Sequence, residues 1–154
     1  MVVTKANSNT MGIPIAQGLF IETADGPRLI ASLCSCGACY FPQAARCSNP
    51  DCKDRKPVEH LLGPNGVLWS YTVQHYPPPP PAKFDQPFVP YAIGLVEFPE
   101  GLRVLGRMST DDVNALKIGY SVRIVLEKLY QDEHGSEFTT WKFRPSAEEP
   151  GANE

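Results

Sequence analysis

Cys34-Ser35-Cys36-Gly37-Ala38-Cys39-Tyr40-Phe41-Pro42-Gln43-Ala44-Ala45-Arg46-Cys47-Ser48-Asn49-Pro50-Asp51-Cys52 contains all five cysteines of a 154-residue chain. A disulfide scaffold spreads its cysteines to staple distant segments, whereas a metal site gathers them. Cys36 and Cys39 form a C-x2-C pair, and Cys47 and Cys52 form C-x4-C after a seven-residue gap. Tetrahedral zinc takes four thiolates at about 2.3 Å, and two tight turns presenting paired thiols supply them with little chain ordering. The residues alone favour Cys36, Cys39, Cys47 and Cys52 as ligands, with Cys34 as the alternative, since a turn with one residue between two ligands is cramped. Four thiolates leave no open coordination position, so the expected zinc is structural.

Outward from the cluster, the chain reads as short strands. On the N-terminal side, residues 19–23 and 29–33 are apolar-rich and flank an Asp25-Gly26 turn, which predicts a hairpin leading into the cysteines. On the C-terminal side, five strands are predicted at Val67–Tyr76, Tyr91–Phe98, Leu102–Met108, Ser121–Tyr130 and Phe138–Phe143. Thr110 to Leu116, with a Thr/Asp cap and a stop at Gly119, predicts a helix of one or two turns between the third and fourth of these. That order is expected of an OB-type barrel. The predicted fold is mainly β, an N-terminal zinc ribbon followed by a five-stranded OB-type barrel. The expected organisation is an N-terminal arm (1–17), the ribbon (18–62), the barrel (63–146) and a disordered acidic tail (147–154).

Composition restricts function. The 14 Lys and Arg against 17 Asp and Glu give a net charge of −3, with Glu148, Glu149 and Glu154 in the tail. A nucleic-acid binder carries a basic surplus for phosphate neutralisation, which argues against the rival reading of a nucleic-acid-binding ribbon/barrel module. No apolar run reaches the roughly 18 residues of a membrane span, and residues 1–10 lack the pattern of a signal peptide, so a cytoplasmic protein without membrane contact is expected. P-loop, GxSxG, HExxH and GxGxxG motifs are all missing, and no nucleophile–base pair stands out, so no catalytic residue is assigned. His75 is read as a structural strand-end residue, and Trp69 and Trp141 as barrel core. Pro77 to Pro81 form a stiff segment of about 3.1 Å per residue, which props a loop carrying Phe84 and Phe88. These two aromatics, with Arg103 and Arg107, are the candidate contacts for a partner or an acyl-CoA.

Leu29-Ile30-Ala31-Ser32, Cys36-Gly37, Tyr40-Phe41-Pro42, Cys47-x4-Cys52, Gly66-x-Leu68-x-Ser70-Tyr71-Thr72-Val73 and Pro90-Tyr91-x-x-Gly94-Leu95-Val96-Glu97 occur in this order. This series resembles the acyl-CoA-associated OB-fold proteins that carry an N-terminal rubredoxin-like zinc ribbon, over roughly residues 18–145. The resemblance implies a non-catalytic subunit bound to a thiolase-like catalytic subunit that works on CoA thioesters. Within the family the chain is most similar to small subunits of degradative thiolases such as those of anaerobic toluene catabolism, with steroid side-chain aldolase partners next. The sequence departs from the family pattern at one place. Aligned on Phe41-Pro42, Cys36 falls at the second ligand and Cys34 nearest the first, one residue short, which leaves Cys39 as an extra thiol.

Overall fold

A computed structural model describes residues 12–146. The expected acidic tail and most of the expected N-terminal arm lie outside the described residues. Ten strands run in chain order: β1 (Ile13–Pro14), β2 (Phe20–Thr23), β3 (Gly26–Leu33), β4 (Cys39–Tyr40), β5 (Val58–Leu62), β6 (Asn65–Gln74), β7 (Tyr91–Glu97), β8 (Arg103–Met108), β9 (Ser121–Gln131) and β10 (Glu137–Pro145). The barrel is mainly β, as the sequence predicts, and its five strands correspond to the five expected. The predicted short helix is one turn of 3-10 helix, Val113–Ala115, whose first turn is capped by the Asp112 carboxylate accepting from the Asn114 N–H.

Strands β6 to β10 close on themselves. β6 pairs antiparallel with β7, β7 with β8, β9 with β10 and β6 with β9; β8 meets β10 in parallel through Arg107↔Lys142 and Met108↔Phe143. Closure leaves a barrel strand no unpaired edge, which explains why so short a chain tolerates so much strand. Alternation decides what fills it. Along β7, Ala92, Gly94 and Val96 face inward, while Tyr91, Ile93, Leu95 and Glu97 face outward. Gly94 is required here because a Cβ would strike the Met108 sulfur and stand 3.0 Å from Leu68 Cδ1.

One bulge corrects an expectation. The β6–β7 register passes from Leu68↔Val96 to Ser70↔Leu95, so Trp69 is the extra residue of β6. Like Val67 it faces outward, opposite buried Gly66 and Leu68, and is 45% exposed, with the Arg103 guanidinium 3.9 Å from the ring centroid. Trp69 is therefore not barrel core, and beyond the bulge Tyr71 and Val73 turn inward to pack on the core instead.

The ribbon caps one end of the barrel. Its sheet runs β2-β3-β4, with β5 on β3 through Leu29↔Leu62 to Leu33↔Val58. Leu29, Ala31 and Leu62 from this sheet are fully buried in the same cluster as Leu68, Val96, Ile124 and Phe143 from the barrel. Phe20 and Phe41 pack on Trp141 with ring centroids 6.3 and 5.4 Å apart. The seam also carries one polar clasp, His60 Nε2 to Glu100 Oε2 at 2.7 Å. Only Gly63 and Pro64 separate β5 from β6, and Gly63 takes φ +96°, a turn that a side chain would strain. Burying an aliphatic side chain is worth about 1.5–3 kcal/mol, so three fully buried ribbon residues make the cap a part of the barrel's core.

Candidate metal centre

Two turns build the site. At the end of β3, the Cys34 N–H donates to Ala38 O (2.8 Å) and the Gly37 N–H donates back to Cys34 O (2.8 Å), folding residues 34–38 into a knuckle. Gly37 sits at φ +98°, the left-handed conformation that this turn needs. The second turn is held by the Cys52 N–H donating to Asn49 O (3.0 Å) and by the Asn49 side chain accepting from the Asp51 N–H (3.1 Å). Arg55 staples this turn from outside. Its guanidinium donates to the carbonyls of Cys47 (3.3 Å) and Pro50 (3.4 Å), and its own backbone N–H points at Cys52 Sγ (3.4 Å).

The two turns converge on four sulfurs, those of Cys34, Cys36, Cys47 and Cys52, all within 4.8 Å of one another. Cys34 and Cys52 lie 3.4 Å apart and Cys36 and Cys47 3.6 Å apart. A tetrahedron with metal–sulfur bonds of about 2.3 Å has sulfur–sulfur edges of about 3.8 Å, so the spacing suits one ion. Cys34, Cys47 and Cys52 are buried and Cys36 is exposed, a site let into the surface of the ribbon.

The fourth sulfur is Cys34 and not Cys39. Ala38 and Tyr40 pack on the cysteine cluster, and adjacent strand residues point to opposite faces. Cys39, between them on β4, turns away and packs against the barrel core. Burial, and then the nearby Glu100 carboxylate, push its thiol pKa up. The cramped turn is relieved because the chain leaves β3 at Cys34 itself, so both neighbours of Ser35 face one side.

Electrostatics prepare the cluster for a cation. The backbone N–H of Ala38, and then the Asn49 amide, hold the Cys36 thiol down at about 6. Cys34 is lowered too, first by the backbone N–H of Cys36. At Cys52 the Arg55 N–H pulls downward, but neighbouring Cys34, burial and the other two thiols outweigh it and raise the group to about 11. Stacked thiolates repel one another, and a bound cation relieves that repulsion. The Tyr40 hydroxyl lies 3.1 Å from Cys47 Sγ and accepts the Ser48 N–H at 2.8 Å. Tyr40 and Arg55 are the supporting residues that motif reading missed; Tyr40 stands in the aromatic-Pro stretch, whereas Arg55 carries no local signal.

The remaining candidate residues fall in two places. Phe84, Phe88 and Arg107 line one cavity on the outer wall of the barrel, with Tyr91 and Leu129. Phe84 meets Phe88 edge-on at 5.7 Å, and Phe88 meets Tyr91 at 6.0 Å. Arg103 stands apart, on Trp69 and paired with Glu97 at 3.2 Å. His75 follows β6 immediately, the strand-end position expected of it, and His134 is exposed in the β9–β10 turn beside Glu133. No described helix is long and apolar enough to cross a membrane.

Known proteins share this architecture. Residues 59–127 match the family model of the ChsH2 C-terminal OB-fold domain. A DUF35 domain-containing scaffold protein of Methanocaldococcus jannaschii is 30% identical over 113 residues, covering 72% of this chain and 76% of that one. Its counterpart in Pyrococcus furiosus is 31% identical over 119 residues, covering 77% and 83%. Among solved structures, an Ltp2-ChsH2(DUF35) aldolase chain superposes with a TM-score of 0.55 at 29% identity, covering 77% of this chain and 84% of that one. With two scaffold-protein relatives at 30% identity or more across most of their length, this chain belongs to the DUF35 family.

Proposed function

We propose that this protein is a non-catalytic scaffold subunit of an enzyme that breaks carbon–carbon bonds in acyl-CoA thioesters, docking on a thiolase-type catalytic subunit. The observation that carries the reading is the closed cluster of Cys34, Cys36, Cys47 and Cys52 at the capped end of the barrel. Four thiolates suit zinc, and a zinc held by four thiolates would fold the ribbon and have no open position for a substrate. Its chemistry is structural: it neutralises the thiolates and fixes the two turns, which present the ribbon as a rigid surface. Among the described residues the closest His–carboxylate clasp, His60–Glu100 at 2.7 Å, bridges ribbon to barrel. The Cys39 thiol near it has its pKa pushed up by burial and by Glu100, against the thiolate a nucleophile needs. The nucleophile and base would come from the partner.

Phe84 and Phe88, on the long loop between β6 and β7, are the proposed partner-facing residues, and Arg103 and Arg107 the proposed cations for acyl-CoA phosphates. A second reading, an aldolase partner, is favoured by the solved relative, whose name pairs Ltp2 with a DUF35 chain in an aldolase. The chemistry separates the two readings. Thiolysis consumes free CoA, whereas retro-aldol cleavage needs none. The complex, isolated through a tag on this chain, is assayed on 3-oxoacyl-CoA with CoA and on 3-hydroxyacyl-CoA without it. Cleavage of the first supports the thiolase partner and cleavage of the second the aldolase. Neither cleavage, or either one by this chain alone, refutes the scaffold reading.

A further inference from the structure

Most of the long loop between β6 and β7 is exposed, but Phe84 and Phe88 turn back and are half-buried against the barrel wall. Asp85 ties the loop to the end of β9, accepting the Gln131 N–H at 2.9 Å and holding Lys128 Nζ at 3.0 Å. This lays the loop along the outer wall of the barrel beside Tyr91 and Arg107 and forms a half-open pocket of about 140 Å³. Its walls are Phe84, Pro87, Phe88, Val89, Tyr91 and Leu129, and its polar groups come from Arg107 and Asp85.

The cations on this wall are unequally matched. Glu127 already serves Lys142 (3.6 Å), the Ser109 hydroxyl (2.8 Å) and Arg144. Asp85 is taken by Lys128 and the backbone. Arg107 lies over the Tyr91 ring at 3.6 Å, and among the described residues no carboxylate pairs with it. It also stands opposite Lys142 in the β8–β10 pairing. Of these two neighbouring cations only Lys142 has a carboxylate partner, Glu127, and an anion arriving at Arg107 would relieve their mutual repulsion. The guanidinium is flat and forked, held in place by the ring beneath, and so prepared for a carboxylate or phosphate.

Size sets the rest of the ligand. A cavity of about 150 Å³ holds benzene, so the pocket beside Arg107 has room for one ring-sized apolar group, and its open side leaves the rest of a ligand in solvent. We propose that the cavity between the Phe84–Phe88 loop and the barrel wall binds a small amphipathic anion, a carboxylate or phosphate ester on a ring-sized apolar body, with Arg107 on the anion and Phe84, Phe88 and Leu129 around the body. The site does not rest on the identity of the catalytic partner.

The test uses the metal-loaded full chain and follows methyl and amide resonances in NMR titrations. The probes are benzoate, phenyl phosphate, inorganic phosphate and benzyl alcohol. Benzoate or phenyl phosphate should shift the Leu129 methyl and the Arg107 signals saturably, and the preference between them tells carboxylate from phosphate. Inorganic phosphate and benzyl alcohol should bind about tenfold more weakly or worse, because each offers half of the recognition. Arg107→Gln should weaken the preferred anion by about tenfold or more with an unchanged melt. Leu129→Trp, which fills the cavity and leaves Arg107 in place, should abolish binding, and decides the matter if Arg107→Gln does not fold. The proposal is overturned if neither aromatic anion binds, if phosphate or alcohol alone binds as well, or if the substitutions leave binding unchanged.

Discussion

Cys34→Ser and Cys39→Ser remove thiols five residues apart, one on the knuckle and one on β4 just beyond it, yet they should behave in opposite ways. Cys34 Sγ sits 3.4 Å from Cys52 Sγ inside the four-sulfur cluster. Structural zinc contributes apparent binding energies of about 10–16 kcal/mol in small peptides, so one ligand in four accounts for about 2.5–4 kcal/mol. Losing Cys34 should therefore weaken zinc by roughly a hundredfold to a thousandfold. Cys39 lies on the opposite face, half-buried against the barrel core. Replacing it with Ser exposes a hydroxyl to a partly apolar wall, a cost of about 1–2 kcal/mol in stability with zinc intact. Plasma emission gives metal per chain, a chromophoric chelator gives relative affinity, and a thermal melt gives stability. One zinc in Cys39→Ser and a readily stripped site in Cys34→Ser is the expected pair. Retention of tightly held zinc by Cys34→Ser, with loss in Cys39→Ser, would refute the ligand set.

Gly106→Ala should destabilise the ribbon–barrel seam by about 1–3 kcal/mol, read as a lower melting temperature, because its Cβ would stand 2.7 Å from both Phe143 Cε2 and Trp141 Nε1. The hydrogen bond from the Gln131 N–H, and then Lys128, hold the Asp85 carboxyl below its usual range. A depressed carboxylate contributes stability that is present above its unfolded value and lost as pH falls through the folded one. The Gln131 amide should accordingly lose hydrogen-exchange protection on acidification below about pH 4, and Asp85→Asn should remove that pH dependence. Phe84→Ala or Phe88→Ala should weaken complex formation by about 2 kcal/mol while leaving zinc content and the melt nearly unchanged, since neither ring belongs to the barrel core. A large drop in melting temperature with intact partner affinity would assign them to stability instead.

The barrel was legible because its strands are runs of apolar, β-branched and aromatic residues bounded by turn signals, as Tyr91–Glu97 is by Pro90 and by Pro99-Glu100-Gly101. Shorter elements were not. Val58–Leu62 carries Glu59 and His60 and follows a charged stretch, so nothing local marks it; it becomes a strand because Leu62 pairs with Leu29 and both are buried under the barrel. Cys39–Tyr40 has two residues and no period at all. That shortness also explains why the sequence favoured Cys39 over the alternative Cys34, because the pairing of Leu33 with Cys39 is what fixes which way Cys39 faces. Tyr71 and Val73 show the same limit: the bulge at Trp69 changes the parity of the strand beyond it without changing its composition. The cation asymmetry at Arg107 depends on Glu127 and Asp85 being occupied, which is a property of three dimensions.

The scaffold role stands or falls on where the turnover resides. The chain and its tagged native complex, each purified to constant specific activity, are compared on 3-oxoacyl-CoA with CoA and on 3-hydroxyacyl-CoA. Cleavage by the complex, none by this chain with its zinc in place, and loss of activity when the complex is dissociated and recovery on recombination are the predicted results. Cleavage by the isolated chain that follows its own concentration, or full activity of the partner without it, would contradict the account.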